Sequence, residues 1–410
     1  MEMEHLTLQQ GGTSKYFGLA TGTPKGGVPN SRISVYKVCW ASGCASADIL
    51  AAFDDAIPDG VDIISTSLGS VFPLYYLEEP IAIGSFPTMK TRTVDRKFVA
   101  KAVLGNGEIY NDVMQGNSVN NFDLHGKIVF CEAIETGFGI MVADGAGAIM
   151  ADSFYTDSAF SYPLPTALIT IEDGQRVLEY IRSTENPVAT ILDAETEEDV
   201  MAPYVVSFST KGPNAITLDV LKPDLTAPGV DILAAWSSVA PPSIDFHDTK
   251  SVDYNIISGT SMSCPRASVA AAFVKAAHPE WLAASIKSAV STTARVLDPN
   301  KHNELEFAYG FGHINSLKAV KPGLVFDLYE ANYVHFLCKQ GYNSTTLKLI
   351  TGDNGSGCGR TKPGRAWDLN NPSFSLAVED GQPVTTSSLK TTFITLRPSL
   401  GVRCLKKKHP

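Results

Sequence analysis

Ser261 is the first residue whose surroundings suggest chemistry. It stands in SGTSMSCP, residues 258–265, between turn formers and a small-residue apolar segment. Ser258, Gly259, Thr260 and Ser261 favour a turn, and Gly259 tolerates backbone angles that a side chain forbids. Pro265 suits the first turn of a helix, where its missing N–H costs nothing. From Ala267 to Ala277 the chain is alanine, valine and phenylalanine, interrupted by Ser268 and Lys275, which predicts a helix buried nearly all round. A serine at the N-terminus of such a helix meets unpaired N–H groups and the positive end of the helix dipole, which favour developing negative charge. An attacking hydroxyl would be placed there, and so would an ordinary Ser/Thr cap, a far commoner use of serine. The first role needs a base to take the hydroxyl proton.

The elements that would position Ser261 read as α/β. RISVYKVCW (Arg32–Trp40) has the β-branched texture of a buried strand. ASADILAAFDDAI then brings Ile49, Leu50, Phe53, Ala56 and Ile57 in at helical spacing, with Ser46 as the expected cap and Asp59-Gly60 as the stop. VDIISTSLGS is a second buried strand, so a strand–helix–strand crossover and a parallel sheet are expected. Between Lys97 and Leu192 short strands such as GKIVFC and GAIMAD alternate with Gly-rich turns and one helix, EDGQRVLEYIRS. The α/β texture resumes at PYVVSFSTKGPN and runs through LKPDLTAPGVDILAAW to the Ser261 helix and SIKSAVSTTA, the order expected when one domain is inserted into another.

Composition excludes several classes. The 410 residues suffice for two or three domains with sizeable cores. A content of 44% hydrophobic and 19% charged residues is that of a folded globular protein. A net charge of −10 argues against a nucleic-acid partner; the one basic run, Lys406-Lys407-Lys408, reads as a solvated tail. No run of about eighteen apolar residues suggests a membrane span. The glycines of DGAGAIMAD complete no GxGxxG and no GxxxxGK[ST] occurs, so nucleotide binding is not expected. No metal-ligand spacing stands out, and no cofactor is expected. Of seven cysteines, Cys39 with Cys44 and Cys338 with Cys358 would each close a short loop. NST at Asn343 and NGS at Asn354 are glycosylation acceptor patterns. These features suit an oxidising compartment, whereas MEMEHLTLQQ lacks the apolar core of a signal peptide. The expectation is a chain whose original N-terminus lies elsewhere.

GTSMSCP, LKPDLTAPGVDILAAW, PKGGVP, YKVCWASGC and DGVDIISTSLG, in that many long stretches and in order, closely resemble the plant subtilisin-like proteases of the cucumisin type. The resemblance runs from about Tyr16 to Val378. It implies an α/β fold: an incomplete subtilisin-like parallel-sheet catalytic domain, an inserted β-rich protease-associated domain, and a truncated C-terminal fibronectin III-like β segment led in by AWDLNNPSFSLAV. The implied division is 1–96 and 197–325 for the two parts of the catalytic domain, 97–196 for the insert, and 326–410 for a linker and the last segment. By this resemblance Ser261 is the nucleophile of a serine endopeptidase with an Asp–His–Ser triad in that chain order. Ser67, Leu68 and Gly69, with Gly259 and Thr260, line the cleft, where an extended polypeptide substrate pairs with the strand. Further implications are an extracellular, apoplastic location and a homodimer through the insert.

The sequence departs from this pattern in ways that matter. The family's aspartate motif and its HGTH motif would precede Tyr16, and neither is present; His5 lies in EHLT. His278 and His313 match structural positions, and His125, His247, His302, His335 and His409 sit in turns or polar stretches, so each is expected to be solvated or a core hydrogen-bonder. IAIGSFPTMK runs directly into TRTVDRKF, so a helix-to-strand segment with its oxyanion asparagine is expected to be missing at Lys90–Thr91, leaving neighbouring strands without a partner. Arg266 replaces the usual histidine and needs a partner or a route to solvent. The tail TLRPSLGVRCLKKKHP is unlike the family. Two readings follow: an impaired serine endopeptidase, or a catalytically dead homologue such as a binding or decoy protein or a gene relic.

Overall fold

The computed structural model describes residues 14–17, 19–40, 42–70, 72–90, 98–101, 124–153, 157–192, 199–245, 247–352, 356–361, 364–365, 368–373 and 375. The chain opens with an antiparallel pair, β1 (Ser14–Tyr16) and β2 (Leu19–Gly22). A short hairpin follows, β3 (Cys39–Trp40) and β4 (Gly43–Cys44), with Cys39 bonded to Cys44. The strand expected over Arg32–Trp40 is mostly absent. Among the described residues, 31–38 has no regular secondary structure and no ladder partner, and Val35 is 72% exposed. β-branched side chains suit a pleated surface, but a neighbouring edge has to complete the ladder.

Helix α1 (Ser46–Ala56) forms as its apolar spacing requires, burying Ile49, Phe53 and Ala56. Ser46 is not its cap: Ala45 takes that position without a side-chain bond, and Ser46 is the first helical residue. Strand β5 (Ile63–Thr66) follows, then α2 (Pro80–Lys90) and β6 (Phe98–Lys101). β5 pairs in parallel with β6, Ile63 opposite Phe98 and Thr66 opposite Lys101. The parallel crossover therefore runs through α2 and not, as expected, from Arg32–Trp40 through α1. The expectation that the Lys90–Thr91 junction strands β5 without a partner is corrected too, because β6 occupies one of its edges. Glu79 helps to start α2 by accepting from the Ala82 N–H at 2.7 Å, which satisfies one of the orphan donors of the first turn. Val38, Ile64 and Leu68 pack on Ile49, Phe53 and Ile81, so α1 and α2 clamp the end of β5 that leads to Ser67.

The segment expected as an insert contains β7 (Ile128–Cys131), α3 (Phe138–Val142), β8 (Gly147–Asp152), β9 (Thr166–Thr170) and α4 (Ile171–Ser183). Its three strands are parallel in the order β7-β8-β9 around a separate core of Ile140, Ala148, Met150 and Leu164. The chain then forms the antiparallel pair β10 (Ile232–Ala235) and β11 (Tyr254–Ile257), which leads straight into α5 (Thr260–Ala277). Next come α6 (Ala283–Thr292), α7 (Glu306–Tyr309) and α8 (Ser316–Ala319). Ala270, Ala271 and Val274 of α5 meet Ile286, Ala289 and Val290 of α6, Ala319 of α8 and Ile63 of β5. Small side chains let these helices approach closely, while each buried valine or isoleucine contributes about 1.5–3 kcal/mol. Residues 326–352 hold two helices not anticipated from sequence, α9 (Glu330–Lys339) and α10 (Ser344–Thr351). Their Val334, Leu337, Leu347 and Ile350 close on Phe86 of α2, and Cys338 is bonded to Cys358. The part of the C-terminal segment expected to be fibronectin III-like that follows residue 375, with the tail, lies outside the described residues.

Candidate active site

Helix α5 begins seven residues before the apolar run, so Ser261 is its second residue and is half-buried. Gly259 is the N-cap and offers no side-chain cap bond; the capping role considered for Ser261 is not the one it takes. Of the first-turn N–H groups Met262 bonds the Gly259 carbonyl at 3.1 Å, and the positive end of the helix dipole falls at Ser261. Among the described residues the Ser261 hydroxyl has no hydrogen-bond partner. Pro265 is the sixth helical residue and not a first-turn proline, so its missing N–H removes a bond that the helix would otherwise make.

Two loops hold this end of α5. From LTAPGVD, Gly229 accepts the Gly259 N–H at 2.8 Å, and Ala227 accepts from the Ser263 hydroxyl at 2.9 Å. The Ser258 hydroxyl takes the Asp231 N–H at 2.9 Å and lies 3.1 Å from the Asp231 carboxylate. From the end of β5, the Ser67 hydroxyl donates to the Ser261 carbonyl at 3.3 Å, and the Cys264 thiol to the Thr66 carbonyl at 3.3 Å. Ser268 Oγ is 3.0 Å from Ser65 Oγ. The structure thus brings Ser67, Gly259, Thr260 and Ser261 together; Leu68 packs inward on α1 and Gly69 is exposed. Ser65, Cys264, Ser268 and the 227–231 loop were not singled out from sequence. Their signal is there in hindsight: Ser261, Cys264 and Ser268 are small polar residues at i, i+3 and i+7, one face of an otherwise apolar helix.

The loop is anchored from below. Asp224 pairs with Lys222 and with Lys287 of α6, the latter at 3.0 Å. Burial alone would push the Asp224 carboxyl up, but the two ammonium groups and their hydrogen bonds hold it well below the usual carboxylate range. A carboxyl depressed in the folded state stabilises above its unfolded pKa, and that contribution is lost as pH falls through the folded value. Unfolding free energy is therefore expected to drop below about pH 4, by on the order of 2 kcal/mol from this group. In Asp224→Asn that part of the acid limb of a urea-denaturation series against pH should disappear.

No described histidine serves Ser261. His278 places Nε2 2.6 Å from the Val320 carbonyl and stacks on Trp281 at 3.8 Å. His313 exchanges backbone bonds with Arg295 at 2.7 Å. His302 is 5% exposed, edge-on to Tyr309, and burial lowers its pKa. His125 lies beside Asp144, and His247 sits 2.9 Å from Asp245 and stacks on Phe138. His335 is in α9, not in a turn, and lines a groove with Lys339 and Asp368. His5 and His409 fall outside the described residues. Arg266 is exposed, so it takes the route to solvent. Asn343 is exposed and caps α10, accepting from the Thr345 and Thr346 N–H groups at 2.9 Å; Asn354 is outside the described residues. Among the described residues no cluster of His, Cys, Asp or Glu could hold a metal ion.

The subtilase family model matches residues 17–312, a span that includes β5, the 227–231 loop and the whole of α5. The chain belongs to the subtilase family. Among curated plant relatives, this subtilase is 38% identical to Subtilisin-like protease SBT4.8 of Arabidopsis thaliana, over 93% of this chain and 59% of the relative. It is 39% identical to SBT4.7 (93% of this chain, 60% of the relative) and 39% identical to SBT4.15 (88% and 57%) from the same plant. The chain thus spans about three fifths of the length of these relatives. The SBT4.8 match runs over 426 positions but takes up only 93% of 410 residues, about 381, so about 45 positions fall opposite gaps in this chain.

Proposed function

We propose that this subtilase carries the nucleophile part of a serine-type endopeptidase, with Ser261 forming the acyl-enzyme, and that the chain by itself is strongly impaired. The observation that carries the reading is the position of Ser261: second residue of a buried helix, beside the Ser67 end of β5, with no described histidine at its hydroxyl. In the reaction the Ser261 oxygen attacks the scissile carbonyl of a polypeptide laid along Ser67–Gly69. The carbonyl oxygen becomes an oxyanion facing the Ser261 N–H, and the hydroxyl proton must leave to a base. A missing segment with the second oxyanion donor near Lys90–Thr91 belongs to the same reading, on the direct run of IAIGSFPTMK into TRTVDRKF. The dead-homologue reading draws on the same histidine geometry. Also proposed are a protease-associated identity for residues 97–196, a fibronectin III-like one for the C-terminal segment, an extracellular location, and glycans at Asn343 and Asn354. A homodimer through the insert belongs to the same set.

A fluorophosphonate probe separates the two readings on the chain as it stands. Residual transition-state stabilisation of roughly a thousand-fold over water survives the loss of a triad member. Slow labelling over hours is therefore expected, and it should vanish in Ser261→Ala. Folded protein that takes up no probe supports the dead homologue.

A further inference from the structure

In an α-helix the carbonyl of residue i accepts the N–H of residue i+4. For Ser261 that residue is Pro265, inside α5, and proline has no N–H. The nucleophile's own carbonyl therefore lacks its regular helical donor. Ser67 is 4% exposed, and its hydroxyl donates to that carbonyl at 3.3 Å. The bond belongs to a series. Alternate strand residues point to one face, so Ser65 and Ser67 both reach α5 while the Thr66 carbonyl stands between them. Ser67 meets Ser261, Thr66 meets Cys264, and Ser65 meets Ser268, three consecutive residues against i, i+3 and i+7 of the helix. Ser268 is fully buried and Cys264 nearly so, so these contacts form away from competing water.

We infer that Ser67 is a positioning residue for the nucleophile: its hydroxyl replaces the donor that Pro265 removes and fastens the Ser261 peptide to the strand end that bounds the cleft. With an ordinary residue at 265 the carbonyl would be satisfied inside the helix, and nothing at that point would tie α5 to β5. With proline there, the nucleophile and the cleft edge move as one piece. The kinetic part of this inference rests on the proposed role of Ser261; the hydrogen bond does not.

Two measurements on the 410-residue chain test it. The first is a double-mutant cycle on the urea midpoint with Ser67→Ala, Pro265→Ala and the pair. Pro265→Ala restores a helical donor, so Ser67→Ala should lower the midpoint in the parent and shift it less than half as far in the Pro265→Ala background. Equal shifts in both backgrounds overturn the inference. The second is fluorophosphonate inactivation, resolved into a limiting rate and a half-saturating concentration. Ser67→Ala should slow the limiting rate ten- to a hundred-fold at unchanged half-saturation. Ser67→Thr, which keeps the hydroxyl, should recover it. A limiting rate unaffected by Ser67→Ala also overturns the inference. Coupling in the cycle without any labelling of the parent chain upholds the Ser67–Ser261 bond and removes the endopeptidase reading instead.

Discussion

Peptide-bond hydrolysis by the 410-residue chain is expected to run on the order of a million-fold below that of a full-length SBT4 relative assayed beside it, because removing the histidine from a triad of this type costs about that much. The six described histidines are each engaged or placed elsewhere, and none shares a hydrogen bond with Ser261. An oxyanion donor is worth roughly a hundred- to a thousand-fold in an intact enzyme. On the proposed reading its loss adds little, since a nucleophile without a base has little rate left to lose. The prediction is therefore not the product of the two factors. The measurement is turnover of a quenched fluorogenic peptide at matched concentrations, with Ser261→Ala as the blank. Turnover within a hundred-fold of the relative would require a base in this chain. Single His→Ala variants at His5 and His409 would then locate it.

Much of this arrangement was legible from residue type and spacing, and the parts that were not share a cause. Helix α1 follows from its apolar spacing because its buried face is continuous in sequence. The start of α5 does not, because Ser258, Gly259, Thr260, Ser261 and Ser263 have the local preferences of a turn or cap. Residues 260–264 become helical where β5 and the 227–231 loop supply partners for their hydroxyls, thiol and carbonyls. Tertiary contacts override propensity there, and the misplacement of Pro265 in the first turn follows from the same error of seven residues. The Arg32–Trp40 segment shows the reverse case: its β texture is plain, but a ladder depends on a neighbouring edge that local pattern does not report. Helices α9 and α10 carry readable apolar spacing at Val334 and Leu337 and at Leu347 and Ile350. The cysteine-closed loop around them drew attention instead. For the site, the motif pointed to Ser261. The bond from Ser67 was hidden, because a sequence does not show which residue meets a carbonyl that a proline has left without its helical donor.

Gly310→Ala is expected to destabilise the chain by about 4 kcal/mol or more, and to do so through the support of Ser261. Gly310 ends α7 with φ +60, a region that costs an L side chain strain. A Cβ there would lie 2.3 Å from the Asp224 carbonyl oxygen and 2.4 Å from that of Pro223. Neither is the flexible tip of a side chain. The Asp224 carbonyl is held by the Phe311 N–H at 2.9 Å, and two residues on, Thr226 and Gly312 pair at 2.9 Å. Below, the Asp224 carboxylate is fixed between Lys222 and Lys287. The collision therefore has to move backbone that leads directly into the Ala227–Asp231 cradle of α5. Strain at a positive φ accounts for roughly 1–3 kcal/mol. The remainder belongs to the collision, which puts the total among the exceptional single substitutions. Gly323→Ala separates the two contributions, since Gly323 has φ +83 and nothing within 4 Å of its would-be Cβ. Urea unfolding of both variants is the measurement. If Gly310→Ala costs no more than Gly323→Ala, the 223–224 backbone yields freely and cannot be what holds the cradle of Ser261 in place. If the excess appears, the helix that carries Ser261 is braced from α7 through the 223–224 backbone, whose Asp224 is held by Lys222 and Lys287 and whose neighbour Leu225 packs on the α5–α6 core.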